Sequence, residues 1–250
     1  MIGIFDSGSG GLSVLKAMRQ VMPRADVVYF GDIQNAPYGL KTQEELSALT
    51  EHAIGLLHAE KADHIVSACN SVAASLVISL SDRIAFTPSD MIEMVGPTVA
   101  HFRDSHKKLA LCATPATIHS AIYQNAFQLI GQEVQYVAIA DLAGAIEAGA
   151  PHAEIQAIVN DAFVGMQGFD TLILACTHYP LVRQAFEEAL PEVEIFDPSM
   201  VVAERVRDAF PTEVEGSAKT TFIISQDSIR FRAFVDAFFG NSDYTIEVRP

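Results

Sequence analysis

The sequence predicts an α/β protein built on parallel strands, and three observations carry that expectation. Short apolar, β-branched runs alternate with longer segments of helical period along all 250 residues. Several of these runs stop at small polar residues or glycine, as strands do at the carboxyl edge of a parallel sheet. Two of them match: Val66-Ser67-Ala68-Cys69-Asn70-Ser71 and Ile173-Leu174-Ala175-Cys176-Thr177-His178. The step from Cys69 to Cys176 equals the step from Ser7 to Thr114, in two other strand-to-helix turns. The shared offset points to a duplicated unit, with one thiol from each half facing a common cleft.

The elements follow in order. A strand at Ile2–Phe5 leads to a helix over Leu12–Met22, a strand at Val27–Phe30, a helix near Gln43–Glu60 and a strand near His64–Ala68. A helix over Val72–Leu80, a strand near Ile92–Val95 and a helix after Pro97 close the first half. The second half repeats the scheme, with a strand at Leu109–Cys112, one helix over Pro115–Ile130 with Pro near its first position, and a strand at Val134–Ile139. Helices at Leu142–Gly149 and Ala153–Gln167, a strand at Thr171–Ala175, a helix after Pro180 and a strand at Val193–Phe196 come next. A helix at Val201–Phe210, a strand at Thr221–Ile224, a helix at Ser228–Phe239 and a short extended piece at Tyr244–Val248 complete the chain. No Gly/Ser-rich linker separates the halves. The expected division is residues 1–96 plus 208–250 for a first, discontinuous domain and 97–207 for a second.

Charge excludes several partner classes. With 16 Lys plus Arg against 31 Asp plus Glu, the net charge of −15 repels a phosphate backbone and disfavours anionic membrane surfaces. The start, Met1-Ile2-Gly3-Ile4-Phe5-Asp6, lacks the basic region of a signal peptide, and no apolar run is long enough to span a bilayer. Three cysteines, at 69, 112 and 176, make no disulfide framework, so free thiols in a cytoplasmic setting are expected.

Three constellations carry chemistry. Asp6-Ser7-Gly8-Ser9-Gly10-Gly11 stands between a strand and a helix; it is either an anion cradle of backbone N–H groups or a merely tight turn, and it matches neither the dinucleotide nor the P-loop spacing. Gly31-Asp32-Ile33-Gln34-Asn35-Ala36-Pro37-Tyr38-Gly39 reads as a rigid turn at the sheet edge, or as a plain surface turn with a half-buried Tyr. The third constellation is the thiol pair. Cys112, inside Leu109-Ala110-Leu111-Cys112-Ala113, reads as a small buried hydrophobe. Cys69 and Cys176 each precede a helix, whose N-terminus should favour the thiolate, and His178 is close enough to exchange a proton with Cys176.

Nucleophilic catalysis leaves one of these thiols unexplained, and a zinc site built on Cys69, Cys176 and His178 lacks a fourth ligand. Proton transfer on both faces of a carbon uses both thiols, one ionised and one protonated, and inverts a stereocentre. The six lysines lie in polar or helix-surface contexts, which disfavours a pyridoxal Schiff base, so no cofactor is expected.

Taken together, Ile4-Phe5-Asp6-Ser7-Gly8-x-Gly10-Gly11, Gly31-Asp32, Pro37-Tyr38-Gly39, Ala68-Cys69-Asn70 and Cys176-Thr177-His178-Tyr179-Pro180 resemble the glutamate racemases of the aspartate/glutamate racemase superfamily. The resemblance implies two flavodoxin-like domains related by a pseudo-twofold, with the active site in the cleft between them. It implies cofactor-independent interconversion of L- and D-glutamate, supplying D-glutamate for peptidoglycan, by a homodimer. It makes Cys69 and Cys176 the two acid/bases, with Asp6 assisting Cys69, and with His178, supported by Glu147, assisting Cys176. Ser7, Pro37, Tyr38, Gly39, Asn70, Ser71, Thr114, Thr117 and Thr177 match positions that line the substrate pocket. The chain departs from the family pattern at Ser71, where Thr is usual, at Ile33-Gln34-Asn35-Ala36 and at Ala140-Asp141-Leu142-Ala143. Those departures keep open a racemase for aspartate or another amino acid, or a non-catalytic paralogue that binds an acidic amino acid.

Overall fold

A computed structural model describes residues 1–74, 90–240 and 242–249. The strands are β1 (Ile2–Asp6), β2 (Val27–Gly31), β3 (His64–Ser67), β4 (Met91–Glu93), β5 (Leu109–Ala113), β6 (Val134–Ala138), β7 (Thr171–Ala175), β8 (Glu194–Phe196), β9 (Thr220–Ile224) and β10 (Tyr244–Val248). Among the described residues they form two all-parallel sheets, ordered β10-β9-β2-β1-β3-β4 and β6-β5-β7-β8. The second order repeats the β2-β1-β3-β4 portion of the first, which is the duplication that the matched thiols implied. In each sheet the strand before a cysteine, β3 or β7, lies beside the strand that opens the repeat, β1 or β5.

The helices are α1 (Leu12–Val21), α2 (Gln43–Ala59), α3 (Val95–His101), α4 (Pro115–His119), α5 (Ile122–Leu129), α6 (Leu142–Ala148), α7 (His152–Ala162), α8 (Arg183–Ala189), α9 (Ser199–Ala209) and α10 (Ile229–Phe239). They cover both faces of each sheet, because side chains alternate along every buried strand. Ile2, Ile4, Val27 and Tyr29 face α1, α9 and α10, whereas Phe5, Val28 and Phe30 face α2. In the second sheet Ala110 and Cys112 face α7, and Leu109, Leu111 and Ala113 face α3 and α5. Cys112 is fully buried there, and its thiol donates to the Ile173 carbonyl at 3.6 Å, which is the behaviour of a core residue. Helix α9 packs Val202, Ala203 and Val206 against Leu15 and Met18 of α1, so the chain rejoins the first sheet before β9 and β10 extend it.

Several boundaries depart from expectation. The helix expected over Pro115–Ile130 is broken, because Ala121 sits at φ +55° and starts α5 afresh. Strand β4 stops at Glu93, whose carboxylate accepts from the Val95 and Gly96 N–H groups and so opens α3 ahead of Pro97. Helix α7 ends at Ala162, and Gly165 and Gly168 follow in left-handed conformations. The helix expected at Val72–Leu80 lies mostly outside the described residues.

Candidate active site

The parallel registers bring the carboxyl ends of β1, β2 and β3 together, and those of β5 and β7 opposite them. Between them lies a tight, largely enclosed cavity. Cys69 and Cys176 both line it and are 5% and 6% exposed. Ser7 and Asn70 share the first sheet's wall, Pro37, Tyr38 and Gly39 form a lip, and Ser71, Thr114, Thr177 and His178 complete the polar lining. Ala143 also lines the cavity, and it belongs to the Ala140–Ala143 run in which the chain departs from the family pattern. Asp6, Glu147 and Thr117 are brought to the site but stand one layer behind its surface; Thr117 is buried with its hydroxyl 3.1 Å from that of Thr114. Among the described residues no Lys or Arg lines the cavity.

The two thiols have unlike surroundings. Cys69 ends β3 and donates to the Ser7 hydroxyl at 3.9 Å. Burial pushes its thiol up to about 12, helped by the nearby Asp6 carboxylate and Cys176, and opposed by hydrogen bonds from the Ser71 backbone and from Ser7. The lowering expected from a helix N-terminus does not win here, because burial dominates. Asp6 makes no hydrogen bond to Cys69. Its carboxylate accepts from the Gly8 N–H at 2.9 Å and from the Thr177 hydroxyl at 2.9 Å, so it ties the first half to the turn that carries Cys176.

Around Cys176 the balance reverses. Burial alone would hold His178 neutral, but the neighbouring Cys176 and the Glu147 carboxylate, 2.7 Å from its Nε2, raise the imidazole well above its ordinary value. His178 therefore carries a proton beside Cys176. Glu147 is held below the usual carboxylate range: burial opposes this, and the His178 contact and two hydrogen bonds from Ser9 outweigh it.

The Gly-rich turn is an anion cradle, and the anion it holds is the protein's own. The Ser9 N–H and hydroxyl donate to Glu147 at 3.1 and 2.8 Å. A Cβ at Gly8 would stand 2.8 Å from a Glu147 oxygen, and one at Gly10 2.6 Å from His178 Nδ1, so glycine is required for the second half to dock. The lip is braced in the same way. Buried Asp32 accepts from Tyr38 at 2.6 Å and from Ser225, just after β9, at 2.7 Å. The Tyr123 hydroxyl of α5 donates to Asn70 Oδ1 at 2.7 Å and leaves Asn70 Nδ2 buried with no hydrogen-bond partner among the described residues. Neither Tyr123 nor Ser225 carried a sequence signal, since both act through neighbours distant in the chain. Among the described residues no three His, Cys, Asp or Glu side chains gather as a metal ligand set.

Two thiols line one polar cavity between two α/β halves of like topology, the arrangement of an enzyme active site. The family model described as Asp/Glu/Hydantoin racemase matches residues 2–206. A glutamate racemase of Aquifex aeolicus (strain VF5) is 35% identical over 223 residues, covering 88% of this chain and 87% of its own length. One of Lactobacillus helveticus (strain DPC 4571) is 31% identical over 254 residues, covering 98% and 95%. Among solved structures, the glutamate racemase of Aquifex pyrophilus matches with a TM-score of 0.82 at 29% identity, over 99% of this chain and 97% of that one. A glutamate racemase isoform of Bacillus anthracis shares the fold, with a TM-score of 0.88 at 23% identity over 100% and 97%. The chain belongs to the Asp/Glu/Hydantoin racemase family and is an isomerase.

Proposed function

We propose that this enzyme interconverts L- and D-glutamate without a cofactor, by proton transfer between Cα and the two thiols. The observation that carries the reading is the pairing of a protonated thiol, Cys69, with a second thiol, Cys176, that has a protonated imidazole beside it in the same closed cavity. In one direction the Cys176 thiolate, countered by His178, takes the Cα proton, and the Cys69 thiol delivers its own to the opposite face. The C–H bond broken at one face is replaced by a C–H bond at the other, and the carbanion's electron pair returns to carbon. The reverse reaction exchanges the roles. Asp6 and Glu147 act behind the thiols as positioning groups. Asn70 Nδ2, with the Ser71 and Thr114 hydroxyls 2.9 Å apart, offers neutral donors for substrate carboxylates.

The same reading has the enzyme supply D-glutamate for peptidoglycan as a cytoplasmic homodimer. It divides the chain into residues 1–96 plus 208–250 and 97–207, and the packing of α9 on α1 favours drawing the return crossing nearer Asp197. In D2O the product enantiomer should acquire solvent deuterium at Cα. Cys69→Ser and Cys176→Ser should each lower racemisation by about 10³-fold, the order expected for losing a positioned acid or base. Full activity in either variant would sink the scheme, and faster turnover of aspartate than of glutamate would move the substrate assignment.

A further inference from the structure

We propose that Ser9 is a positioning residue that couples closure of the two halves to the Glu147–His178 pair. The inference rests on the two-thiol reading for its activity readout alone. Ser9 lies on the first half, in the turn between β1 and α1, and is fully buried. Glu147, on α6, and His178, after β7, both belong to the second half. The Ser9 hydroxyl and N–H bind the two different oxygens of Glu147, and the oxygen that receives the N–H also meets His178 Nε2. Both carboxylate oxygens are thereby oriented by one residue from across the cleft. When the halves part, these two bonds break, and Glu147 keeps only His178.

Closure thus fixes the geometry of the carboxylate that holds the His178 proton, at the moment Cys176 meets substrate. The groups facing Glu147 from the surrounding elements are His178 and the Tyr29 phenol of β2, while Arg230 of α10 lies against Gly149, just beyond α6. Tyr29 is itself engaged, donating to the Gly8 carbonyl at 2.7 Å. Among the described residues, the hydrogen bonds to Glu147 that cross between the halves are those from Ser9.

The test compares the wild-type enzyme with Ser9→Ala and Ser9→Thr. Two readouts are taken: the pH profile of racemisation, and the titration of the Glu147 carboxyl followed by ¹³C NMR. The hydroxyl favours the ionised carboxylate, so its loss raises the Glu147 pKa. In Ser9→Ala the acid limb of the profile and the carboxyl titration should both move up by about one pH unit, with kcat down about tenfold and KM changed less. Ser9→Thr, which keeps the hydroxyl, should return both towards wild type. Superposable titrations in wild type and Ser9→Ala, or a Ser9→Ala defect seen only as lower thermal stability, would overturn the proposal. If the wild-type enzyme does not racemise glutamate, the functional reading fails, and the carboxyl titration alone decides the role of Ser9.

Discussion

At the scale of single residues, the two thiols are equal in kind and unequal in setting. Cys69 is a buried acid whose proton is held by desolvation, while Cys176 stands beside a cation that Glu147 sustains. The Cys69 shift has a consequence for stability. A thiol whose folded pKa is raised stabilises the fold fully below its unfolded value of roughly 8.5, and that contribution is lost as pH rises through the folded value. Between about pH 9 and 12 the unfolded chain releases this proton and the folded chain keeps it. Urea midpoints should therefore fall with pH over that window, and the fall should be shallower in Cys69→Ala; parallel curves would contradict the shift. The thiols, His178 and the hydroxyl positions were legible in sequence, because motifs place them at strand ends. The partners were legible in part: His178 stands beside Cys176 with Glu147 on its Nε2, as the motifs implied. The hydrogen bonds of Asp6, by contrast, go to Gly8 and Thr177, and the hydroxyl that meets Cys69 is that of Ser7, a choice made by packing across the cleft rather than by spacing.

At the scale of elements, the strands were the most legible part, since continuous apolar, β-branched runs buried on both faces leave little choice. Helix ends were less so. The break between α4 and α5 depends on one residue in a left-handed conformation, Ala121, that no propensity anticipates. An alanine there carries the steric cost that glycine avoids. Ala121→Gly is expected to raise stability by roughly 0.5 kcal/mol after the entropy cost of glycine in the unfolded chain is subtracted, measured by urea denaturation; a loss of stability would mean that the turn is not strained. At the other edge of the site, Thr42 and Glu45 form a reciprocal capping box at the start of α2, a signature written plainly in Thr42-Gln43-Glu44-Glu45.

At the scale of the whole molecule, the halves meet through glycine. A Cβ on Gly39 would lie 2.7 Å from Thr114 Cβ, so Gly39→Ala should hold the lip away from α4 without unfolding either half. We expect kcat/KM to fall on the order of 100-fold with an unchanged far-UV CD spectrum, as misplacement of about an ångström can do; wild-type kinetics would show that contact to be dispensable. The repeated strand order was foreseeable from the matched thiols, and the closeness of the docking was not, because it depends on which side chains are absent. The lack of any Lys or Arg among the described residues that line the cavity bears on how the enzyme meets its substrate. A chain with a net charge of −15 surrounds that cavity with a potential that repels an acidic amino acid in the encounter, and the His178 imidazolium in its wall is already paired with Glu147. Capture is then set by the neutral donors inside, and mobile cations in solution, by screening the approach within about 10 Å at 0.1 M salt, speed the arrival of a ligand that the protein's own field holds off.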